Sequence, residues 1–486
     1  MRRVMSVLEG AGPQESGHGA YPRLYDHPYF GQLFIAGILG LTGYPDSLNP
    51  GPDVHSIQML HLAPRILMGL LAVVDTFLLF KIVERRYSII IALIAAILFA
   101  IMPSTWIFRR VYLDTILMPF LLSSILTALY LNQKNDTSPH TKSIYKINKD
   151  ILILLSGIFL GLAIYTKIPV FTMIPLVGSI VFFNSGKSLR SVGLWLIPVL
   201  ILPMLWPLYS VIVGQSDLWS YWVLWQVERD RPLSLSLANF FYIDPLVTIL
   251  GIAGFALATI RKDFFPLLWI SPFLIFSYFI GWVQYFHLVL IFPAFCISSA
   301  IFLGYLQKVI AKYTQKLVSY SIVIFVIVFG FVSTTMLITL DVNSTYYKVY
   351  SAIAQKIPSS NNEETPEITL IGSHWWVWNS NWITKYVLNK SHDYIDPHLD
   401  PKFKKEIPTE NVLIIADPIF LESLSRKLNS DNLRQIRQLS NESKEIASFT
   451  DNVTSLTAPY YPLNTLPIMI WNENHPTGNV SIKINY

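Results

Sequence analysis

Apolar residues fall in ten runs along the chain: Leu62–Val83, Ser88–Phe108, Tyr112–Leu131, Ile151–Tyr165, Ile168–Phe183, Val192–Val213, Pro245–Ile260, Phe264–Ile280, His287–Tyr305 and Leu317–Ile338. Each is about long enough for a helix that crosses a bilayer. The cations between them alternate by side. Lys81, Arg85 and Arg86 close the first run. Lys134, Lys142, Lys146 and Lys149, then Lys187 and Arg190, then Arg261 and Lys262, then Lys308, Lys312 and Lys316 occupy every second connector. The positive-inside rule makes that side cytoplasmic and the opposite connectors extracytoplasmic.

Three stretches lie outside this pattern. Residues 1–61 read as an outer segment with one short amphipathic helix, Phe30–Leu41, closed by Gly43, Pro45 and Pro50. The outer loop Gly214–Asp244 carries Trp219, Trp222, Trp225, Arg229 and Arg231, a composition suited to a helix lying in the interface. From Asp341 the chain turns polar. Two short β-branched runs, Ile368–Gly372 and Val412–Ala416, read as buried strands, each followed by a helical pattern, Trp375–Leu388 and Ile419–Lys427. The expected architecture is mainly α: a polytopic transmembrane bundle of about ten helices over 62–340, with a small extracytoplasmic α/β domain over 341–486. Sequons at Asn343, Asn389, Asn441, Asn452 and Asn479 fit that exposure, while the one in the bundle, Asn135, falls on the cytoplasmic side.

Composition supports the membrane reading. Of 486 residues, 52% are hydrophobic and 14% charged, too apolar for a soluble globular chain. The net charge of +5 is dispersed, with no basic tract, so nucleic acid is not an expected partner. The single cysteine, Cys296, lies in an apolar run and excludes both a disulfide framework and a cysteine-based zinc site. No metal motif with recognisable ligand spacing appears. An even number of spans leaves both chain ends outside, yet 1–61 holds neither a signal peptide nor a full span. Either this stretch is exported without a helix of its own or a membrane helix precedes Met1 in a longer product, and the second is the expectation.

Isolated charges at the outer mouths are the candidate chemistry. Tyr25-Asp26-His27-Pro28 sets a carboxylate and an imidazole just before a proline suited to a first helical turn, so Asp26 either caps that helix or faces a ligand. Arg109-Arg110, with Asp114 four residues on, breaks the positive-inside trend. Guanidinium forks match phosphate oxygens, and a carboxylate entering a span needs a partner. Lys167 is a lone outer ammonium after Gly157-x-x-x-Gly161, whose glycines read as helix-packing positions. Arg65 lies near the outer end of its run. Asp244, Gln284, Tyr285 and His287 sit at outer mouths with weaker signals. Trp375, Trp376, Trp378 and Trp382 suit either sugar stacking or a core. Asp75 is the one clear charge deep in a run.

These elements, in this order, resemble a family. Asp26-His27-Pro28-Tyr29-Phe30-Gly31-Gln32 is similar to the Asp-x-His-Pro-Pro-Leu-Gly-Lys loop of protein O-mannosyltransferases and to the Asp-His-Pro-Pro-Leu variant of their prokaryotic relatives. Tyr29 stands where the second proline would be, and Gln32 where the eukaryotic members often have lysine. Arg109 to Leu117 resembles the family's Arg-x-x-x-x-Asp-x-x-Leu segment, and Gly157 to Pro169 its Gly-x-x-x-Gly-x-x-x-x-x-Lys-x-Pro turn. Arg65 matches a common family arginine. The resemblance spans residues 22 to about 300 and gives the domain after Asp341 no support.

The resemblance implies a GT-C fold and a multi-pass plasma-membrane glycosyltransferase. It would move a mannose-like hexose from a polyprenyl- or dolichyl-phosphate donor to an extracytoplasmic hydroxyl on protein, lipid or glycan, with inversion. Arg65, Arg109, Arg110 and Lys167 would bind the donor phosphate, and Asp26, His27 and Asp114 would be catalytic. No cofactor beyond the lipid donor is implied, and a divalent metal is left open. The family also carries an Asp-Glu pair just ahead of the segment matching Met1–Gly10, absent here. Glu9, Glu15 and Asp26 are the nearest carboxylates. Transfer is therefore expected of a product whose upstream segment supplies that pair. A lipid-linked-sugar flippase, or an inactive pseudo-enzyme, is the alternative.

Overall fold

A computed structural model describes residues 1–14, 23–132, 148–228, 232–280, 283–339, 344–357, 368–373, 382–390, 392–395, 407–417, 431–451 and 478–485, with Trp376, Phe420, Leu421 and Leu424. Outside them lie Glu15, Lys134, Lys142, Lys146, Arg229, Arg231, Trp375, Trp378 and the sequons at Asn135, Asn343 and Asn452. Two short helices, α1 (Arg2–Leu8) and α2 (Phe30–Leu41), precede the bundle. The bundle comprises α3 (Val54–Arg86), α4 (Ile89–Ile101), α5 (Leu113–Tyr130), α6 (Lys149–Thr166), α7 (Ile174–Asn184), α8 (Leu189–Ile212), α9 (Ser216–Glu228), α10 (Leu233–Ile243), α11 (Pro245–Ile260), α12 (Phe264–Ile280), α13 (Phe292–Ile310), α14 (Lys316–Ser319) and α15 (Ser321–Thr339).

All ten apolar runs are helical, but they do not give ten uniform spans. Among the described residues, six helices are long and apolar enough to cross alone, and eight spans result if each bent pair counts as one. The first bent pair is α4 with the 3-10 turn Pro103–Arg109, inclined 66° to each other; the second is α10 with α11, at 116°. Pro103 explains the first break, since it cannot donate to the preceding turn. Asp244 explains the second: its carboxylate caps α11 through the Val247 amide at 3.1 Å and also accepts from the Ser104 amide at 3.2 Å. Asp244 is thus buried in the scaffold, with a structural task.

Glycines set the tightest helix approaches. A Cβ on Gly157 or Gly161 of α6 would lie 2.4 and 2.5 Å from the Trp195 and Pro198 carbonyl oxygens of α8. These small residues let two backbones touch, the usual device where lipid supplies no hydrophobic drive between helices. At the lysine-rich end, Arg85 donates to the Leu129 and Asn132 carbonyls that end α5, at 3.2 and 3.0 Å, and stacks on Tyr130.

Beyond the bundle, α16 (Ser344–Lys356) leads to a sheet of five strands: β1 (Ile368–Gly372), β2 (His392–Ile395), β3 (Val412–Ala416), β4 (Lys444–Asp451) and β5 (Gly478–Asn485). Their order is β2-β1-β3-β5-β4, with β2, β1 and β3 parallel and β5 antiparallel to both β3 and β4. Alternate side chains serve two cores. Val412, Ile414 and Ala416 face the layer that includes the Asp431–Glu442 helix. Leu370, Leu413, Ile415, Val480, Ile482 and Ile484 share a core with α16, α1, α2 and the N-terminal part of α3. One face of the sheet is therefore roofed by the bundle itself. The docking is also polar: Arg65 donates to the Tyr347 hydroxyl at 2.5 Å, and Ser351 to the Pro52 carbonyl at 2.7 Å.

The two β-branched strands occur where the sequence places them. Helical structure also follows each: a π-helical turn at Trp382–Val387 after β1, and helical Phe420, Leu421 and Leu424 after β3. The remaining residues of both helical patterns lie outside the described set.

Candidate functional site

The segment after the gap, Leu24–Tyr29, is nailed down by aromatics. Tyr25 and Tyr29 are buried with Tyr165, Trp206 and Trp222. The Tyr25 hydroxyl donates to Gln215 at 2.7 Å and that of Tyr29 to the Leu205 carbonyl at 3.0 Å. This leaves Asp26 and His27 projecting between two anchored tyrosines. Asp26 does not cap α2, whose N-cap residue, Tyr29, makes no side-chain cap. The carboxylate pairs instead with the Arg3 guanidinium of α1.

Gly31 brings α2 to the rest of the site. A Cβ there would meet Leu113 at 2.7 Å and Thr166 at 2.9 Å, the neighbours of Asp114 and Lys167. The missing side chain lets α2 sit close between the start of α5 and the end of α6. There Lys167 donates to Asp114 at 2.5 Å, both side chains at most 8% exposed. The 3-10 turn Ile168–Met173 follows at once, started by Pro169, so Lys167 stands at a bend with its side chain directed inward.

These groups share one cavity of about 920 Å³, within the range of small-molecule sites. Its polar lining is Arg2, Arg3, Asp26, His27, Gln32, Tyr112, Asp114, Lys167 and His287. The rest of the lining is largely apolar, with Phe171, Leu200, Met204, Phe273, Phe276 and Ile280 among it. Leu200 and Met204 are 52% and 63% exposed on α8, so the apolar lining reaches the face that lipid covers.

The electrostatics of the polar lining follow from the pairing. Burial works to raise the Asp26 pKa, but Arg3, His27 and Arg2 together outweigh it and hold the carboxyl well below the usual carboxylate range. Asp26 is ionised at any physiological pH. Asp114 meets a cation in Lys167, as a carboxylate entering a span requires.

Of the residues singled out from sequence, Asp26, His27, Asp114 and Lys167 come together. Arg65, Arg109 and Arg110 do not line the cavity. Arg65 is turned to Tyr347. Arg110 lies over the Trp106 ring at 3.5 Å and reaches the Tyr285 hydroxyl at 3.4 Å. Arg109, half-buried, ends the 3-10 turn beside it. Of these four cations, some of which were expected to hold the phosphate, Lys167 is the one that lines the hollow shared with Asp26. Glu9 is exposed and outside it. Asp75 is buried in α3, both oxygens without a hydrogen-bond partner among the described residues, and does not line the cavity. Trp376 and Trp382 are core residues: Trp376 donates to the buried Asp417 at 3.0 Å, and Trp382 packs on His61. Trp219 of α9, by contrast, lines the cavity. No group of three or more potential metal ligands occurs among the described residues.

Sequence reasoning missed Arg2 and Arg3. Their signal was present: two arginines on the side of the membrane otherwise poor in cations, the same exception that drew notice to Arg109 and Arg110.

Comparisons with known proteins bear on the fold and on the family pattern of part of the chain. The family model for dolichyl-phosphate-mannose-protein mannosyltransferase matches residues 23–213, the stretch that contributes Asp26, Asp114 and Lys167. No curated protein matches the chain significantly by sequence. Among solved structures, ArnT from Cupriavidus metallidurans bound to undecaprenyl phosphate superposes with a TM-score of 0.50 at 12% identity, over 99% of this chain and 92% of that one. The Archaeoglobus fulgidus oligosaccharyltransferase in its apo form gives 0.51 at 12% identity, over 92% of this chain and 68% of that one. With an acceptor peptide tethered to that oligosaccharyltransferase, the chain spans 65% of its length. At such identity the likeness speaks for fold. The chain is an integral membrane protein of the GT-C glycosyltransferase fold, and its residues 23–213 carry the sequence pattern of the dolichyl-phosphate-mannose-protein mannosyltransferase family.

Proposed function

We propose that this protein transfers a neutral, mannose-like hexose from a polyprenyl- or dolichyl-phosphate donor to an extracytoplasmic hydroxyl. The observation that carries this reading is a cavity lined both by paired charges, Arg3 with Asp26 and Lys167 with Asp114, and by apolar side chains that reach the lipid-facing surface at Leu200 and Met204. An amphiphile with an anionic head and an isoprenoid tail is the ligand chemistry that fits both. The match of residues 23–213 to the mannosyltransferase family supports it.

In this mechanism the isoprenoid lies along Phe171, Leu200, Met204 and Phe276. Lys167 and Arg2 face the phosphate. As the acceptor oxygen bonds to the anomeric carbon, the bond from that carbon to the phosphate oxygen breaks and its electron pair stays on the phosphate. Cations fixed at that oxygen stabilise charge that appears only in the transition state, which is where they lower the barrier. Asp114 holds the Lys167 ammonium in place through its 2.5 Å contact. Asp26, ionised and adjacent to His27, accepts the hydroxyl proton late, when the attacking oxygen has become acidic. Direct displacement inverts the anomeric centre.

The placement of lysines on the opposite loops supports an orientation with the cavity and sheet domain on the extracytoplasmic face. The test uses purified full-length protein in liposomes with radiolabelled polyprenyl-phosphate hexose. Label passing to a hydroxyl acceptor supports the reading. Label that only changes leaflet identifies a flippase, and no handling of the lipid at all removes the proposal.

A further inference from the structure

The outer domain does not touch the cavity directly: no described residue beyond Leu290 lines it. It reaches the cavity through α1. Arg2 and Arg3 on that helix belong to its polar lining, whereas Val4 and Met5 are buried in a core with Ile35, Ala36, Leu39, Trp382 and Ile383. The short helix packs against α2 on one side and against the Trp382–Val387 turn on the other. Both neighbours hold α1 through buried apolar side chains, and Arg3 adds its ion pair to Asp26.

The turn is itself fixed to the bundle. Trp382 lies 5.1 Å from the His61 ring of α3, centroid to centroid, and Tyr347 of α16 lies 5.2 Å from the same ring. Lys390, just past the turn, donates to the Ala354 and Ile357 carbonyls at the end of α16, both at 2.6 Å. Arg65 clasps Tyr347 from below. A continuous set of contacts thus runs from the α3 mast through the outer domain and back onto α1.

We propose that the Trp382–Val387 turn is a positioning element that seats α1 over the cavity and thereby fixes Arg3 against Asp26. This rests on the transferase reading for its catalytic consequence, though not for its geometry. Ile383, 1% exposed, is the residue of the turn to change. Leu424, 6% exposed, lies in the core on the opposite face of the same sheet and is the control.

The experiment compares Ile383→Ala and Leu424→Ala in the full-length protein by amide exchange, donor KM and the pH profile of kcat/KM. With Ile383→Ala, residues 2–8 exchange at least tenfold faster, donor KM rises about threefold or more, and the acid limb of kcat/KM moves to higher pH. With Leu424→Ala all three stay at wild-type values, even where melting temperature falls. Should the alanine variant fail to fold, Ile383→Val gives the same directions at smaller size. Equal behaviour of the two variants overturns the proposal, as does faster exchange of α1 with an unmoved acid limb. If wild type transfers no sugar, the functional reading falls, and the exchange data alone decide whether the turn seats α1.

Discussion

Replacing Lys167 by methionine strips the cavity of a cation and leaves a carboxylate alone in a dry place. The ammonium and the Asp114 oxygen are 2.5 Å apart, with side chains 8% and 7% exposed. At an effective dielectric near 20, their attraction is about 6–7 kcal/mol. Desolvation of the two ions consumes several kcal/mol each. The pair therefore contributes little net stability, but either partner alone is costly: Lys167→Met should destabilise by about 3–5 kcal/mol. Removing both charges with apolar residues of similar volume, Asp114→Leu with Lys167→Met, should bring stability back to within about 1 kcal/mol of wild type, because no orphaned ion remains. Activity should part company with stability here. Loss of one fixed donor at a developing anion lowers kcat by about 10²–10³, and the double variant does not regain it. Thermal unfolding in detergent by tryptophan fluorescence, alongside donor-transfer rates, reads both quantities. A double variant as unstable as the single, or one that transfers sugar at the wild-type rate, would refute the reasoning.

Other expectations follow from the same geometry. Arg3→Gln leaves burial acting on Asp26 without its main counter-charge, so the carboxyl pKa rises. Because the wild-type folded pKa is depressed, the stability it gives is present above the unfolded value near 3.8 and fades only as pH falls below it. In Arg3→Gln the acid limb of kcat/KM should climb into the range of about pH 4–6, read by a pH–rate profile. Gly161→Leu, forced against the Pro198 carbonyl of α8, should cost several kcal/mol, at least the 1–3 typical of overpacking, and abolish monodisperse extraction. Leu200→Trp, in the apolar lining, should raise donor KM with little change in kcat, as loss of uniform binding does. Asp417→Ala removes the acceptor of Ser373, Trp376 and the Phe420 amide and should lower the melting temperature, with an apparent loss of about 3 kcal/mol.

The membrane bundle was legible because its signals are strong and additive: long apolar runs and lysines confined to alternate loops. Span integrity was not: Pro103 breaks one helix by lacking a donor, and the bend at Asp244 is fixed by a bond from the distant Ser104 amide that composition does not reveal. In the outer domain, β1 and β3 were readable as buried β-branched runs. The partner strand β5 was overlooked although Val480, Ile482 and Ile484 alternate cleanly, because flanking polar residues dilute a period-two signal. At the site, Asp26, Asp114 and Lys167 could be found as charges out of keeping with their surroundings. The divergence of Arg65 and Arg110 could not, because a guanidinium at a mouth is equally at home over an aromatic ring or a hydroxyl. Only the fold chooses.

One consequence concerns the bilayer itself. The helix α3 runs for 33 residues, about 50 Å at 1.5 Å per residue. From Arg65, clasped to Tyr347 of α16, to Arg85, which seals α5, is about 30 Å of helix, matching the hydrocarbon thickness of an ordinary membrane. Both arginines are committed to protein partners, so neither can slide to follow a thinner or thicker lipid. The molecule is a caliper set to one gap. Short-chain lipids should tilt or strain it, which makes acyl-chain length a variable to control whenever its turnover is compared between vesicles.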